Sequence, residues 1–348
     1  MSSCLIALGS NLGDRAQLLQ GALQRLGEHP QIGVGACSTW HETPAVGGPP
    51  GQPAFLNGAA RLESTLSPEA LLEVLQQTER LLGREPGVRW SPRPIDLDLL
   101  LVDDWVIQTP RLVLPHPRMA WRRFVLEPAA EVAGDMLHPT TGWTIAQLLE
   151  HLHTARPYVA ITGSIGSGKT SLAQRLARET GAEFVAEPLD LARLAAFYAD
   201  PSSHGWETEL QFLEDRARLL AAGLPRWLGE RVVVSDFWFG QSLAFARVWL
   251  APAAQTAFRQ RWEEAAAGVV APKLLVLLEA PADELLARVR QRGRPSEQQL
   301  SRSQLARLGE EIAVEAARAG QGPLVRLAAG DPEAAVQELV AAIEAISA

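Results

Sequence analysis

The stretch Tyr158–Ser171, YVAITGSIGSGKTS, decides the fold of its half of the chain. Tyr158 to Ile161 is a short apolar run of the kind that forms a buried strand. Gly163-Ser164-Ile165-Gly166-Ser167-Gly168-Lys169-Thr170 then fills every fixed position of G-x-x-x-x-G-K-[ST]. Leu172, Ala173 and Leu176 follow on one face of a helix. Strand, loop and helix are the context this motif needs. The glycines let successive backbone N–H groups turn toward one anion, and the helix N-terminus adds partial positive charge. Lys169 would reach the outer phosphates of ATP and Thr170 would hold Mg²⁺. Gly163, Gly166, Ser167, Gly168 and Ser171 complete the cradle. The alternative is a glycine-rich turn ahead of an ordinary helix.

A loop of this kind belongs on the first strand of its domain, yet here it begins at residue 158 of 348. A second domain is therefore expected over 156–348, and residues 1–155 need an account of their own. A chain of this length fits about two domains. Apolar residues make up 47%, enough for packed interiors. The net charge of −8 argues against a nucleic-acid or membrane-surface partner, so charged substrates must be met by local basic clusters. Two cysteines, Cys4 and Cys37, lie in strand-like runs and read as reduced, buried thiols of a cytoplasmic protein. No leader peptide and no membrane span is expected.

In the first domain, Cys4 to Leu8 reads as a strand, and Leu19, Ala22, Leu23 and Leu26 as the apolar face of a helix. Val34 to Glu42 and Phe55 to Glu63 are strand-like. Thr43 to Pro53, TPAVGGPPGQP, is a loop long enough to suggest function. Ser67-Pro68-Glu69 opens a helix with a cap, a proline and an acid. Next comes Arg84 to Leu101, REPGVRWSPRPIDLDLLL. As a strand, Ile95, Leu97, Leu99 and Leu101 would share one face and Asp96 and Asp98 the other. Two carboxylates side by side are unfavourable unless a cation lies between them, and hard oxygen donors suit Mg²⁺. Arg84, Arg89 and Arg93 lie just upstream as phosphate forks, with Trp90 among them. The alternative is a solvated acidic strand. His116, Arg122, Arg123 and Phe124 add a histidine, further arginines and an aromatic ring.

Those pieces resemble the 6-hydroxymethyl-7,8-dihydropterin pyrophosphokinase family of folate synthesis. The matching segments are LGSNLGD at 8–14, ETP at 42–44, FLNGA at 55–59, TERLLGR at 78–84, RWSPRPIDLDLLL at 89–101 and LVLPHPRMAWRRFVLEPAAEVA at 112–133. The resemblance implies an α+β ferredoxin-like sandwich and transfer of pyrophosphate from ATP to the pterin hydroxymethyl group. It implies two Mg²⁺ ions on Asp96 and Asp98. It places Arg84, Arg93, His116 and Arg122 on ATP. Phe55 and Phe124 would sandwich the pterin, Asn57 and Thr43 would read its edge, and Val46 and Trp90 would lie beside it.

In the second domain, apolar runs at 182–186, 231–236, 273–279 and 323–328 alternate with helical patterns, which implies a parallel, doubly wound α/β sheet. Glu187 and Asp236 stand at strand ends, where such sheets bind ligands. On the helix at 207–220, Leu210, Leu213, Ala217 and Leu220 form the expected apolar face, with Glu209, Gln211 and Arg216 elsewhere. Arg288, Arg292 and Arg294 read as a lid over transferring phosphates.

This half resembles the deoxynucleoside kinase family, on GSIGSGKTS, the Glu187-Pro188 pair, LQFLEDR at 210–216, SDFWFGQSLAFA at 235–246 and R-G-R-x-x-E at 292–297. The resemblance implies Glu187 as general base for the nucleoside 5′-hydroxyl and Arg288, Arg292 and Arg294 on phosphates. It implies Glu297 on the sugar, Asp236 on metal or hydroxyl, and Glu209 or Gln211 in place of a base-reading glutamine. Where this chain has Ser235-Asp236, many relatives have an acid followed by arginine, so the arginine is missing after Ser235. The reading is a P-loop nucleoside kinase fused to a pyrophosphokinase, using small-molecule substrates, one Mg²⁺ in the second half, and a homodimeric assembly. A nucleotide-sensing module, or another small-molecule P-loop kinase, is the alternative for the second half.

Overall fold

The computed structural model describes residues 1–85, 87 and 90–347, so Arg89, read above as a phosphate fork, lies outside the described residues. The chain forms two compact units. One is Met1–Thr154 with the residues from Ala341 onward, and the other is Ala155–Val340. The sequence reading kept 156–348 together; the grouping instead counts the chain from Ala341 with the first unit.

The first unit runs β1 (Ser2–Ser10), α1 (Arg15–Gly27), β2 (Ile32–Cys37), β3 (His41–Thr43), β4 (Phe55–Ser64), α2 (Pro68–Leu81), β5 (Asp96–Val102), β6 (Ile107–Gln108), β7 (Val113–Leu114), α3 (Arg123–Ala133), β8 (Leu137–His138), β9 (Trp143–Thr144) and α4 (Ile145–Thr154). Its main sheet is antiparallel, in the order β2-β4-β1-β5, with β3 also on β4. Cys4, Ile6 and Leu8 alternate onto one face. There they meet Leu19, Ala22 and Leu26 of α1 and Leu71 and Leu75 of α2 in a dry cluster. The α2 cap forms as its sequence requires, with Ser67 Oγ accepting the Ala70 N–H at 3.2 Å. On the other face Ala7 pairs with Asp98 and Gly9 with Asp96, so both carboxylates point away from the hydrocarbon.

Three sequence expectations change in this unit. The run Val34 to Glu42 is two strands, β2 and β3, rather than one. The register slips between Leu5 and Ile6, which pair with Leu101 and Leu99 and leave Leu100 as an extra residue. Leu101 therefore lies on the aspartate face beside Leu5, and Val102 takes its place in the cluster. Cys4 is buried as expected, but Cys37 is exposed, because it ends a strand at the sheet edge.

The second unit runs β10 (Tyr158–Thr162), α5 (Lys169–Thr180), β11 (Glu183–Val185), α6 (Leu191–Ala199), α7 (Pro201–Leu219), β12 (Val233–Ser235), α8 (Gln241–Trp249), α9 (Pro252–Ala266), β13 (Leu274–Glu279), α10 (Ala282–Arg292), α11 (Arg302–Ala316), β14 (Leu324–Ala328) and the part of α12 (Pro332–Ser347) up to Val340. Five parallel strands lie in the order β11-β12-β10-β13-β14. Tyr158, Ala160 and Leu275 pack against Leu213 of α7, Leu220 just after it, and Leu243 and Ala246 of α8. Leu277 meets Ala244 of α8 and Leu308 and Ile312 of α11. Helix α7 is longer than its apolar pattern suggested, and its buried face includes Glu209 and Arg216, which the sequence reading had left off it. Among the described residues no helix is long and apolar enough to cross a membrane.

One buried group makes the first unit sensitive to acid. His138, 4% exposed, accepts the Thr141 N–H on Nδ1 at 3.3 Å, and protonation would break that bond. Burial pulls its imidazole down from 6.5 to about 4. Between those values the unfolded chain binds the extra proton and the folded one does not, so stability falls as pH falls. Acidification from pH 7 to pH 4 should therefore remove on the order of 3 kcal/mol through this residue. Urea unfolding followed over that range should show a shallower loss in His138→Gln. Equal slopes for the two proteins would count against this assignment.

Candidate active sites

In the first unit the sheet's polar face opens into a cavity of about 810 Å³. It is lined by Thr43, Val46, Phe55, Asn57, Arg84, Trp90, Arg93, Asp96, Asp98, His116, Arg122 and Phe124, all singled out from the sequence of this half, whereas Arg123 is not among its lining residues. Strand β5 delivers the two half-buried carboxylates two residues apart on one side. Asp96 Oδ1 accepts Arg84 Nη1 at 2.6 Å and Arg93 Nη1 at 3.1 Å. His116 Nε2 stands 3.9 Å from Asp98 Oδ2. The two carboxyl groups consequently differ. Burial raises Asp96 above its ordinary value and the charge of Asp98 pushes the same way, against Arg93 and Arg84. Burial works against Asp98 as well, but His116, Arg122, Arg84 and Arg93 together hold it below its ordinary value.

The remaining walls follow from local chemistry. Asn57 Nδ2 donates to Thr43 Oγ1 at 2.8 Å, which ties β4 to the start of the proline-rich loop. A Cβ at Gly9 would meet Asn57 Oδ1 at 3.0 Å, so only glycine leaves this floor undisturbed. Two residues that sequence reasoning missed hold the arginines. Asn11, 2% exposed, accepts the Arg93 N–H at 2.8 Å and donates to Pro53 O at 3.3 Å. Glu79 accepts from Arg84 and, at 2.7 Å, from the N–H of Leu97, the residue between the two aspartates. Burial pushes the Glu79 carboxyl up to about 7. Both lie inside segments quoted for the resemblance, LGSNLGD and TERLLGR, so the signal was present but no role was read from it.

In the second unit the loop between β10 and α5 has its glycines where no other residue fits. Gly163, Gly166 and Gly168 have φ of 150°, 85° and 95°, and a Cβ on Gly163 would strike Leu278 O at 2.4 Å. Lys169 Nζ folds back on the carbonyls of Gly163 and Ser164, at 2.9 and 3.0 Å. Burial lowers its ammonium, against the opposing pull of Glu187 and Asp236. Ser167 Oγ is buried without a hydrogen-bond partner, as a loop that receives an oxyanion would leave it. Exposed Thr170 donates to Asp236 Oδ2 at 2.6 Å, and Asp236 Oδ1 accepts the Glu187 N–H at 2.7 Å. The donor set suits a hard cation: one hydroxyl and one carboxylate beside a phosphate cradle.

Glu187 is held by groups the sequence reading did not connect to it. Its Oε1 accepts Arg216 Nε at 2.7 Å, Arg216 Nη2 at 2.6 Å and Gln241 Nε2 at 3.2 Å. Arg216 is 1% exposed, and its Nη1 donates to Ser242 Oγ at 2.8 Å. Asp236, which follows Ser235 where many relatives carry an arginine, is buried, and the next residue, Phe237, lies fully in the apolar cluster. The lid arginines divide. Arg288 reaches Ala329 O at 3.1 Å and lies 3.5 Å from Ser167 O, beside the loop. Arg292 and Arg294 both pair with buried Glu297, so in this arrangement Glu297 is engaged by the lid rather than free for a sugar. Glu209 is buried on α7, and half-buried Gln211 lies about 200° around the same helix. Ser171 follows Thr170 in the first turn of α5.

Comparison with known proteins places both halves. Residues 5–134 match the family model for 7,8-dihydro-6-hydroxymethylpterin-pyrophosphokinase, and residues 159–331 match the model for deoxynucleoside kinase. A 2-amino-4-hydroxy-6-hydroxymethyldihydropteridine pyrophosphokinase of Synechocystis sp. is 41% identical over 148 residues, 42% of this chain and 75% of that protein. One from Methylorubrum extorquens is 41% identical over 152 residues, 44% of this chain and 94% of that protein. A deoxyadenosine kinase structure from M. mycoides with bound dATP is similar to 52% of this chain and 96% of that one, at 16% identity and a TM-score of 0.47. The chain belongs to the 7,8-dihydro-6-hydroxymethylpterin-pyrophosphokinase family through its first unit, and its second unit matches the deoxynucleoside kinase model.

Proposed function

We propose that the first unit transfers pyrophosphate from ATP to the hydroxymethyl group of 6-hydroxymethyl-7,8-dihydropterin, leaving AMP. The observation that carries this is the single cavity in which twelve residues of the expected types converge. Among the described residues no three His, Cys, Asp or Glu side chains group as a complete metal cage. Two carboxylates on one strand face suit Mg²⁺ that takes its other ligands from phosphate and water. Asp96 and Asp98 would hold two such ions, whose chemistry is to neutralise the phosphates and align them with the hydroxyl. Arg84, Arg93, His116 and Arg122 line the same wall and would bind the phosphate oxygens. Phe55 and Phe124 would hold the flat pterin between them, beside Val46 and Trp90, with Asn57 and Thr43 at its edge. The strand order β2-β4-β1-β5, with α1 and α2 on one face, supports a ferredoxin-like core.

The second unit, on this reading, phosphorylates the 5′-hydroxyl of a deoxynucleoside. Glu187 would accept the hydroxyl proton. Arg216 and Gln241 saturate its Oε1, which leaves Oε2 for substrate. Lys169, Arg288 and the backbone of the glycine loop would take the phosphates, and Thr170 and Asp236 one Mg²⁺. Arg292 and Arg294 would turn from Glu297 to phosphate, freeing Glu297 for the sugar. Arg216 acts as a positioning residue, holding Glu187 from α7. One observation favours the alternative of a sensor that binds without turnover: buried Asp236 stands after Ser235, where many relatives carry an arginine. Two free thiols, one deeply buried, suit a cytoplasmic setting.

Three measurements test these assignments. Asp96→Asn and Asp98→Asn should each lower AMP formation from ATP and the hydroxymethyl-dihydropterin by at least roughly 10²–10³-fold. Wild-type rates in either variant would remove the metal assignment. ADP release should rise on adding at least one of the four deoxynucleosides and vanish in Lys169→Ala, with pyrophosphoryl transfer unaffected. Absence of stimulation by all four would favour the sensor. Arg216→Lys and Arg216→Met should lower kcat for the nucleoside by about 10²-fold, with a smaller change in KM and the lysine variant the milder. A change confined to melting temperature would make Arg216 structural only.

A further inference from the structure

The proline-rich loop at 43–53 is a wall with open space on both sides. Its front, through Thr43, Pro44, Val46 and Gln52, lines the cavity that holds the two aspartates. Its back, through Thr43, Pro44, Gly47, Pro50 and Gln52, lines a second cavity of about 650 Å³. A loop so placed gains little from packing, and its position depends on a few polar contacts. At its ends, Thr43 Oγ1 accepts Asn57 Nδ2 at 2.8 Å and Pro53 O accepts Asn11 Nδ2 at 3.3 Å. Within it, Gly47 O accepts Gln52 Nε2 at 3.1 Å. The middle is held from elsewhere. Glu344 belongs to the stretch of α12 counted with the first unit, 297 positions along the chain from Gly47. Its Oε2 accepts the Gly47 N–H at 3.1 Å. Among the described residues, Glu344 is the one residue outside 42–54 that lines the second cavity.

Ala341, one turn before Glu344, backs the same spot. A Cβ on Gly47, whose φ is 70°, would meet Ala341 Cβ at 3.3 Å and Trp90 Cε3 at 3.4 Å. Gly47 is thus packed between Ala341 and Trp90, and Trp90 lines the first cavity. Residues from Ala341 onward lie beyond both family matches, so neither family assigns them a role. We propose that Glu344 is a positioning residue for the pterin site: its carboxylate latches the middle of the 43–53 loop, so that Val46 and Trp90 stand in place before the pterin arrives. The inference rests on the pterin reading given above. A carboxylate acceptor makes a stronger bond to a backbone N–H than a neutral acceptor does. Glu344 is exposed, so the net effect is a severalfold change in affinity rather than its loss. Without the latch the loop has room to fall back into the second cavity, and ordering it again would weaken pterin binding.

The test uses the full chain, with hydroxymethyl-dihydropterin as the probe. In hydrogen exchange, the amides of 43–53 should exchange about fivefold faster in Glu344→Ala than in the wild type. Kd for the pterin should rise by a similar factor, while Kd for ATP and the melting temperature stay unchanged. Glu344→Gln keeps an acceptor oxygen and should fall between the two proteins. Unchanged exchange at 43–53 in Glu344→Ala overturns the latch. Faster exchange with unaltered pterin affinity overturns its role at the site. Equal weakening of ATP and pterin binding, with a lower melting temperature, makes Glu344 structural only and overturns it as well. A wild-type chain that binds no pterin refutes the underlying reading. The exchange comparison needs no ligand, so it then still decides whether Glu344 holds the loop.

Discussion

Opposite charges held against each other before any substrate arrives are what both sites depend on. The protein is acidic overall, yet its two chemistries require clusters of arginine and lysine. Each cluster is anchored by carboxylates from a different element: Arg84 on Asp96 and Glu79, Arg216 on Glu187, Arg292 and Arg294 on Glu297. The Arg216–Glu187 pair lies largely out of water, where removing one member of a pair typically costs about 3–5 kcal/mol. That cost fixes the side chains in one geometry. Phosphate oxygens entering such a site replace one anion with another, so little reorganisation is left for the moment of transfer.

The same pairing explains a division of labour between neighbours. Asp96 and Asp98 are chemically identical and two residues apart, but burial dominates at one and surrounding cations at the other. In the second unit three donors converge on the single oxygen Oε1 of Glu187. Lys169 is stored on two loop carbonyls that offer only partial charge, so a phosphate readily outcompetes them.

Most of this architecture was legible in the order of residues, for identifiable reasons. The glycine loop announces itself because three positive φ angles exclude side chains. The D-x-D strand announces itself because alternation separates carboxylate from hydrocarbon, a pattern that held through Leu99. The misses share a cause, which is that contacts between distant elements leave no periodic trace. Nothing near Arg216 shows that it reaches Glu187, which lies 29 positions away. Buried Glu209 broke the expectation that charge marks the outer side of a helix. Helices α6, α8, α9 and α11 were passed over, α8 because its residues are buried nearly all round and offer no polar face to read. Cys37 looked like core because its strand is apolar, and only the sheet order reveals the strand to be an edge.

The extra residue at Leu100 divides β5 into two stretches that respond differently to changes in chain length. Removing it would regularise the ladder, and every neighbouring side chain would keep its present face, since Leu99 and Leu101 already alternate correctly across the gap. A deletion a few positions earlier, between Asp96 and Leu99, has no such slack; it would swing one carboxylate into the hydrocarbon layer beneath the sheet. Insertions and deletions along this strand are thus absorbed on the side facing Val102 and are ruinous on the side facing Asp96. Length variants of the domain have only one place in β5 from which to arise.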